Sequence, residues 1–154
     1  MKILSKNKYA YLNYDIQEVY EAWIVLNWFE VKAIKTWNIN IKESFVKIYS
    51  DWKIYITNMN VPLYKKTSYK IVPWYDSKRK RQLLLHKKQI QKLAERTNKT
   101  WLVLIPLKIY ENRKSLIKIE IWLWKLRKKV EKKQILKERD IKRQAERDIK
   151  KLNI

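Results

Sequence analysis

The sequence predicts a mainly β fold with helices, in which a small antiparallel barrel with packed helices precedes a basic C-terminal tail. Three observations support this prediction. Several short segments alternate apolar and polar residues, which is typical of strands with one buried face. One segment carries apolar residues at helical spacing. The composition becomes strongly charged near residue 126. We therefore divide the chain into a barrel domain, residues 1–126, and a tail, residues 127–154.

The first half of the barrel domain is predicted to contain three strands and a short helix. A strand is expected from Tyr14 to Leu26, where β-branched and aromatic residues are frequent. A short helix is predicted from Phe29 to Ile34. The alternating runs Phe45 to Tyr49 and Lys53 to Thr57 are close enough in sequence to form a hairpin.

The second half is predicted to contain a loop, a helix and two strands. Residues 62–80 hold two Pro and several Lys without a clear period, so we predict a loop. We expect a helix capped by Asp76 or Ser77. Its helical spacing is carried by Leu83, His86, Ile90, Leu93 and Ala94. Long strands are predicted from Trp101 to Tyr110 and from Leu116 to Trp124, with a hairpin loop between them.

The tail is expected to be helical only when it is bound. From Arg127 to Ile154 there are twelve Lys plus Arg and five Asp plus Glu. One thin apolar stripe is formed by Ile141, Ala145, Ile149 and Leu152. A segment with so little apolar surface to bury is predicted to be disordered alone and to become ordered on its target.

The net charge points to a polyanionic partner. The 154 residues include 37 Lys plus Arg and 15 Asp plus Glu, which leaves a net charge of +22. Nucleic acid is the most common partner for such a surplus, and an anionic membrane surface is the alternative. No run approaches the roughly 18 consecutive apolar residues of a membrane span. We see no signal peptide and no Cys, so we expect a cytoplasmic protein.

Four basic clusters favour RNA over a membrane. They are Lys78 to Arg81, Lys87 with Lys88, Lys125 with Arg127 to Lys129, and Lys132 with Lys133. Any one cluster could be a solvated charged face. Four clusters together with this net charge favour RNA, because the apolar stripe of the tail is too thin for a membrane-surface helix. Short strands with such charge are typical of oligonucleotide-binding barrels, which usually have five strands.

The sequence gives no support for an enzyme. The single His, His86, is predicted to lie on a helix without a Ser or Cys partner that would suggest a triad. Diagnostic metal-ligand spacing is absent, and a phosphate-binding Gly-rich loop cannot form without Gly. We therefore predict no catalytic residue, no metal and no cofactor.

Several motifs occur in a defined order along nearly the whole chain. They are Asn7 to Ala10, Tyr20 to Ala33, Trp37 to Phe45, Asp76 to Ile90, Val103 to Tyr110 and Ile135 to Asp140. In this order they resemble the motifs of the SmpB family, the protein partners of tmRNA in bacterial ribosome rescue. A generic basic ribosomal or RNA-binding barrel protein, which remains the alternative, would share the charge and the fold but not these motifs.

The resemblance implies a function and a set of partners. A member of this family would cradle the tRNA-like domain of tmRNA and deliver it to stalled ribosomes. Its tail would enter the empty mRNA channel of the 70S ribosome, at the decoding region of the small subunit and its ribosomal RNA. Alanyl-tRNA synthetase and elongation factor Tu would be indirect partners, and no membrane would be involved.

The resemblance also implies site residues. By position, the RNA-binding candidates are Asn7, Lys8, Glu30, Lys32, Asn40, His86, Lys87, Lys125 and Lys128. The ribosome-binding candidates of the tail are Glu131, Lys132 and Lys133. For Glu30 and Asn40, capping of the backbone inside the fold is the alternative role. Val130, Glu131 and Lys133 depart from the family pattern, which makes the tail the less typical part.

The chain has no Gly and eight Trp, whereas average usage predicts roughly eleven Gly. The family pattern has Gly at Trp23, Trp28, Trp37, Trp52, Trp101 and Trp122, and Gly is common at Trp74 and Trp124. A tight hairpin turn at Trp52 independently calls for positive φ, which Trp tolerates badly. We hypothesise that these codons are UGA, read as Gly in the source organism. The alternative is a genuine Trp-rich variant.

Overall fold

The computed structural model describes residues 2–8, 10, 14–67, 70–99, 102–126 and 129–152. The described strands are β1 (Lys2–Lys6), β2 (Tyr14–Ile24), β3 (Phe45–Ile48), β4 (Ile54–Thr57), β5 (Arg81–Leu84), β6 (Leu102–Glu111) and β7 (Ile117–Leu126). The helices named here are α1 (Trp28–Lys35), α2 (Lys87–Lys99) and α3 (Lys129–Leu152).

Strands β2 to β7 form a closed antiparallel barrel, which confirms the predicted fold class. The strand order is β6-β3-β4-β5-β2-β7, and β7 pairs back to β6 to close the barrel. The barrel therefore has six strands among the described residues, one more than the usual oligonucleotide-binding form. β1 pairs with the C-terminal part of β6, from Lys2 opposite Glu111 to Lys6 opposite Lys108.

Alternation along each strand builds the core. In β4, Ile54 and Ile56 are completely buried, whereas Tyr55 and Thr57 lie on the outer side and are partly exposed. Successive side chains of a strand point to opposite faces, so the apolar members of the pattern line the barrel interior. Burying one such side chain contributes about 1.5–3 kcal/mol relative to leaving it in water.

A β-bulge accommodates Pro106 within the long strand β6. Pro has no N–H to donate to a ladder, so in sheets it is tolerated at edges and bulges. The register between β6 and β7 shifts between Pro106 and Lys108, which is such an irregularity. The strands predicted at Trp101 to Tyr110 and Leu116 to Trp124 are otherwise found within one to two residues of β6 and β7.

The predicted start of the central helix is wrong. Residues 81–84 form strand β5, which lies between β4 and β2, and α2 begins only at Lys87. Leu83 is buried opposite Ile54 and Ile24 in the barrel wall. The consecutive residues Leu83, Leu84 and Leu85 fit a helical and a strand period equally well, and the two neighbouring strands favour the strand. Asp76 instead forms a turn in which its Oδ1 accepts from the Lys78 N–H at 2.8 Å.

Helix α1 is found close to the predicted range. It packs against described residues of the long loop 62–80. Phe29 on α1 belongs to a small buried cluster with Leu63, Val72 and Tyr75. The Phe29 and Tyr75 rings meet edge to face at 4.8 Å between centroids. The Tyr75 hydroxyl donates to the Val61 carbonyl at 2.6 Å. The described parts of this loop, residues 62–67 and 70–80, therefore have a defined path without helix or strand.

Two Trp residues have backbone conformations that favour Gly. Trp37, with φ of 57°, follows the C-terminus of α1. Its N–H bonds to the Ile34 carbonyl at 2.9 Å, and the Asn38 N–H bonds to the Ala33 carbonyl at 3.0 Å. These two bonds define a Schellman motif, in which the Trp37 position is usually Gly.

Trp52, with φ of 59°, closes the β3–β4 hairpin. Its N–H bonds to the Tyr49 carbonyl at 3.1 Å, and the Tyr49 N–H bonds to the Lys53 carbonyl at 2.9 Å. This is a three-residue hairpin loop whose last residue adopts the left-handed conformation, a position typical of Gly. The requirement for positive φ, predicted from the turn at Trp52, is therefore met in the structure.

Helix α3 spans 24 residues of the tail. Two members of its apolar stripe lie open to solvent, since Ile141 is 70% exposed and Ile149 is 58% exposed. The side chains that the structure describes on this helix, residues 133–149, therefore bury little apolar surface. The prediction that this segment is disordered alone and helical on the ribosome remains a prediction.

Candidate nucleic-acid interface

Three predicted site residues lie around one small cavity. Asn7, Lys8 and Asn40 line a cavity of about 180 Å³ beside β1. Lys6 and Lys42 line the same cavity and are exposed, as is Lys8. Three lysines therefore line this cavity, and their positive charge suits a phosphate. Neither Lys6 nor Lys42 carries a sequence feature that distinguishes it from other lysines, so they were not predicted.

The two asparagines shape this cavity through backbone contacts. The Asn7 side chain is buried, where Nδ2 donates to the Pro106 carbonyl at 3.5 Å and Oδ1 accepts from the Ala10 N–H at 3.2 Å. Asn40 Oδ1 accepts from the Lys42 N–H at 2.9 Å, and its backbone bridges to Asn60. Capping of the backbone, the alternative role for Asn40, is what this geometry shows.

Glu30 lies in the interior rather than at an RNA-facing surface. It is 0% exposed, and Oε1 accepts from Arg81 Nε at 2.8 Å and from Arg79 Nε at 2.9 Å. Its Oε2 accepts from the Asn27 N–H at 2.8 Å, which caps the start of α1. The carboxylate is thus occupied by protein donors. Glu30 positions Arg79 and α1, and this geometry does not offer its carboxylate to RNA.

The environment of Glu30 keeps its carboxyl charged. Burial alone would raise the pKa of Glu30, but the bonds from Arg79 and the Asn27 N–H, with the charges of Arg81 and Arg79, lower it below its ordinary value. Arg81 is itself fully buried, and it also donates to the carbonyls of Met59 at 2.7 Å and Ser77 at 2.9 Å. This network joins α1, the 62–80 loop and β5.

The basic run Lys78 to Arg81 is divided between two faces. Arg79 and Arg81 turn toward Glu30, whereas Lys78 and Lys80 are exposed. Alternate residues of an extended segment point in opposite directions, which explains the division. Only half of this cluster is therefore available to a polyanion.

Lys32 lies exposed on α1, next to aromatic rings. Its Nζ is 4.9 Å from the Trp28 ring centroid and 5.9 Å from that of Tyr64. At these distances the rings hold the ammonium by cation–π attraction while it faces solvent.

His86 and Lys87 lie at the start of α2, so the predicted position of His86 within a helix is corrected to its N-cap. The His86 carbonyl accepts from the Gln89 N–H at 2.9 Å and from the Ile90 N–H at 3.1 Å. Gln89 Oε1 accepts from the His86 N–H at 3.2 Å, which is half of a capping box. Both His86 and Lys87 are exposed, and His86 lines a cavity of about 410 Å³ with Lys118.

The remaining candidates lie near the junction with the tail. Lys125 is exposed at the end of β7. Lys128 lies outside the described residues. Glu131 and Lys132 belong to α3 by their backbone, and Lys133 is exposed on the same helix. The structure thus distributes the predicted site over the β1 cavity, the exposed face of α1, the start of α2 and the tail junction.

Two other kinds of feature are absent from the described part of the chain. Within it, no group of three or more acidic or His side chains is placed to hold a metal ion. Among the same residues, no helix combines the length and apolarity needed to cross a membrane.

Comparison with known proteins places these observations in a family. The family model described as "SmpB protein" matches residues 4–151. A protein of Thermosipho africanus named "SsrA-binding protein" is 39% identical over 150 residues, covering 97% of this chain and 98% of its own length. The protein of the same name from Persephonella marina is 44% identical over 151 residues, covering 97% and 95%.

A solved structure agrees with the sequence relatives. It is described as "tmRNA-SmpB: a journey to the center of the bacterial ribosome" and superposes with a TM-score of 0.66. The two chains are 34% identical, and the match covers 81% of this chain and 85% of the other.

Proposed function

Because this chain belongs to the SmpB family, we propose that it binds the tRNA-like domain of tmRNA and delivers tmRNA to stalled ribosomes in trans-translation. The observation that carries the proposal is the match of the family model over residues 4–151. The relatives are named for binding SsrA, and the description of the structural neighbour names tmRNA, SmpB and the bacterial ribosome.

The surface of the barrel supports this function. Lys6, Lys8 and Lys42 line the cavity beside β1 together with Asn7 and Asn40. Lysine contacts to phosphates release counterions and make affinity dependent on salt. We propose that this cavity, Lys32, Lys87 and Lys125 contact tmRNA. By its position in the sequence, we propose Lys128 for the same set.

The test is a comparison of tmRNA with bulk tRNA. We expect the full chain to bind tmRNA more tightly than tRNA, with affinity for both falling steeply as salt rises. Binding should be measured for both RNAs at two salt concentrations. Equal affinity for the two RNAs would contradict the proposal and favour a generic RNA-binding barrel protein.

The tail is proposed to act on the ribosome. We assign residues 127–154 to the empty mRNA channel at the decoding region, where ribosomal RNA would neutralise the basic residues, Lys132 and Lys133 among them. The exposure of Ile141 and Ile149 supports this, because residues 133–149 of α3 present no large buried face to the barrel. Lys133 stands where the family has Arg. Because an ammonium group lacks the planar set of donors of a guanidinium group, we expect its contact with ribosomal RNA to be weaker than that of Arg.

The remaining assignments follow from the same proposal. Alanyl-tRNA synthetase and elongation factor Tu would act on the bound tmRNA and would meet this chain only indirectly. We propose a binding role in the cytoplasm without catalysis.

A further inference from the structure

We propose that the outer face of the β3–β4 hairpin is a stacking site for one unpaired nucleotide of tmRNA. We call this face the hairpin platform and define it as Lys47, Tyr49, Tyr55 and Lys80. This inference rests on the proposed function, because it takes tmRNA as the RNA. It adds a site outside the residues assigned from the family motifs.

The two aromatic rings of the platform, Tyr49 and Tyr55, are held at a right angle to each other. The Tyr49 and Tyr55 centroids are 5.4 Å apart, with an interplanar angle of 89°. Tyr55 lies in β4 directly opposite Lys47 of β3 and Gln82 of β5. It therefore lies on the sheet surface rather than on a free loop. Such an arrangement orders a partly exposed ring at low conformational cost.

Two ammonium groups lie over the Tyr49 ring, from which a stacking base would displace them toward its phosphate. The Lys80 Nζ is 5.3 Å from the Tyr49 centroid, and the Lys47 Nζ is 5.6 Å from it. Both lysines are exposed, and both tyrosines are partly exposed. A depression of about 570 Å³ lies between Tyr49, Tyr55, Lys80 and the loop residues Ser50 and Asp51.

This combination matches the chemistry of an unpaired nucleotide. Aromatic side chains stack on bases, and neighbouring lysines neutralise the phosphate of the same nucleotide. A paired base within a helix presents only its edge, so the platform selects unpaired RNA. Asp51 lies at the rim, where its carboxylate is paired with Lys53 at 3.0 Å. The local balance of charge therefore still favours a phosphate.

The occupant is tmRNA rather than ribosomal RNA because of where the platform lies. It belongs to the barrel, which the proposed function assigns to tmRNA, and it contains no residue of the tail. Charge complementarity supports an RNA occupant, since the whole chain carries +22. Trp52 at the hairpin tip is not part of the platform, so the inference does not depend on whether that residue is Trp or Gly.

The experiment measures tmRNA binding by the full chain and its variants. We expect Tyr49→Ala to weaken tmRNA binding about tenfold, equivalent to about 1.4 kcal/mol, and Tyr49→Phe to retain it. Lys80→Ala should reduce the slope of log affinity against log salt by about one unit. Phe45→Ala is the matched control, since Phe45 is exposed on the same face but lies at the other end of the hairpin. It should bind as the unaltered chain does.

A second measurement on the unaltered chain covers the case in which Tyr49→Ala fails to fold. NMR of ¹³C-labelled tyrosine rings should show shifts at Tyr49 and Tyr55 with a six-nucleotide unpaired RNA, and smaller shifts with an RNA duplex. The buried rings of Tyr20 and Tyr110 should not move.

The outcomes separate this inference from the proposed function. Unchanged tmRNA affinity in Tyr49→Ala, or equal ring shifts with both RNAs, would overturn the platform while tmRNA binding by the unaltered chain still stood. Loss of ribosome association with unchanged tmRNA affinity would also overturn it, because the occupant would then be ribosomal. If the unaltered chain failed to prefer tmRNA over tRNA, the proposed function itself would fail.

Discussion

Trp37 and Trp52 occupy two backbone positions that favour Gly, each for a different structural reason. One is the residue after a helix C-terminus, and the other is the last residue of a three-residue hairpin loop. Positive φ is uncommon for a residue with a bulky side chain, because Cβ approaches the backbone oxygen. The chain places two of its eight Trp there and contains no Gly. This supports the hypothesis that these codons are read as Gly in the source organism.

Replacing Trp52 with Gly should stabilise the protein. The left-handed conformation costs a residue other than Gly about 1 kcal/mol or more, so we expect Trp52→Gly to raise the free energy of unfolding by about 1 kcal/mol. Trp74→Gly is the control, since Trp74 is exposed and is not among the residues with positive φ. It should give no increase. Urea unfolding measures both, and equal effects of the two substitutions would contradict the backbone argument.

The same hypothesis makes a direct prediction about the protein made by its source organism. Peptides spanning Trp37 and Trp52 should carry Gly at both positions when that protein is analysed by mass spectrometry. Gly is also expected at the buried Trp122 and Trp124, although the backbone conformation at these two positions does not itself favour Gly. A peptide with Trp at position 52 would contradict the hypothesis.

Glu30 makes stability dependent on pH in a defined direction. Its pKa is lowered in the folded protein, so its contribution is present above the unfolded value of about 4.3. That contribution is lost as the pH falls through the folded value. Glu30→Gln leaves two buried or half-buried guanidinium groups without their counter-charge, which should cost roughly 3–5 kcal/mol at pH 7.

The difference between Glu30→Gln and the unaltered chain should shrink as the pH is lowered below about 4. Urea unfolding at pH 7, 4 and 3 tests this. The exposed Glu43 provides the control, since Glu43→Gln should change stability by less than about 0.5 kcal/mol. A Glu30→Gln variant as stable as the control at pH 7 would show that the network with Arg79 and Arg81 does not contribute as proposed.

At the level of elements, a helix or strand could be predicted from the sequence where the apolar residues of a segment fit only one of the two periods, helical or alternating. In the β3–β4 hairpin, buried positions alternate with more exposed ones, and its strands were predicted with nearly the observed bounds. Strand β5 was missed because Leu83 to Leu85 fit either period, and only its neighbours β4 and β2 decide between them. Strand β1 was missed because a segment of only five residues with one buried side chain, Leu4, is too short to show an alternating pattern.

For the site residues, the sequence carries the order of the motifs but not the direction in which each side chain points. Their order along the chain showed which residues belong to the family motifs, but it could not show that Glu30 turns inward. That orientation depends on Arg79 and Arg81, which are about fifty positions away in sequence. Likewise, the cavity that joins Asn7 to Asn40 exists only because both segments pack beside β1.

The boundary of α2 can be tested by Pro substitution. If the helix begins at Lys87, Pro at that position replaces the first helical residue, whose N–H has no helical partner. Lys87→Pro should then cost less than about 1 kcal/mol. Gln91→Pro, one turn further along the exposed side, should cost about 3 kcal/mol or more. Thermal unfolding distinguishes the two, and comparable losses would favour a helix that starts well before Lys87.

For the whole molecule, charge is divided between a folded barrel and a tail helix with little buried surface. The tail has twelve of the 37 basic residues and five of the 15 acidic residues, so most of the surplus belongs to the barrel. The barrel alone therefore carries enough positive charge to hold an RNA. Tail side chains such as Leu136 and Ile141 are exposed, so the barrel does not depend on them for its core.

Deleting Val130 to Ile154 should separate tmRNA binding from ribosome rescue. We expect the truncated chain to unfold at nearly the same temperature, because the deleted helix contributes little to the core. Its affinity for tmRNA should stay within a few-fold, roughly 1 kcal/mol or less. Tagging of stalled chains should be abolished, because the basic tail is proposed to bind the second polyanion, ribosomal RNA. The double change Lys132→Ala, Lys133→Ala should produce a milder form of the same separation. Tagging by the truncated chain, or loss of tmRNA binding together with tagging, would show that the two parts do not divide the function in this way.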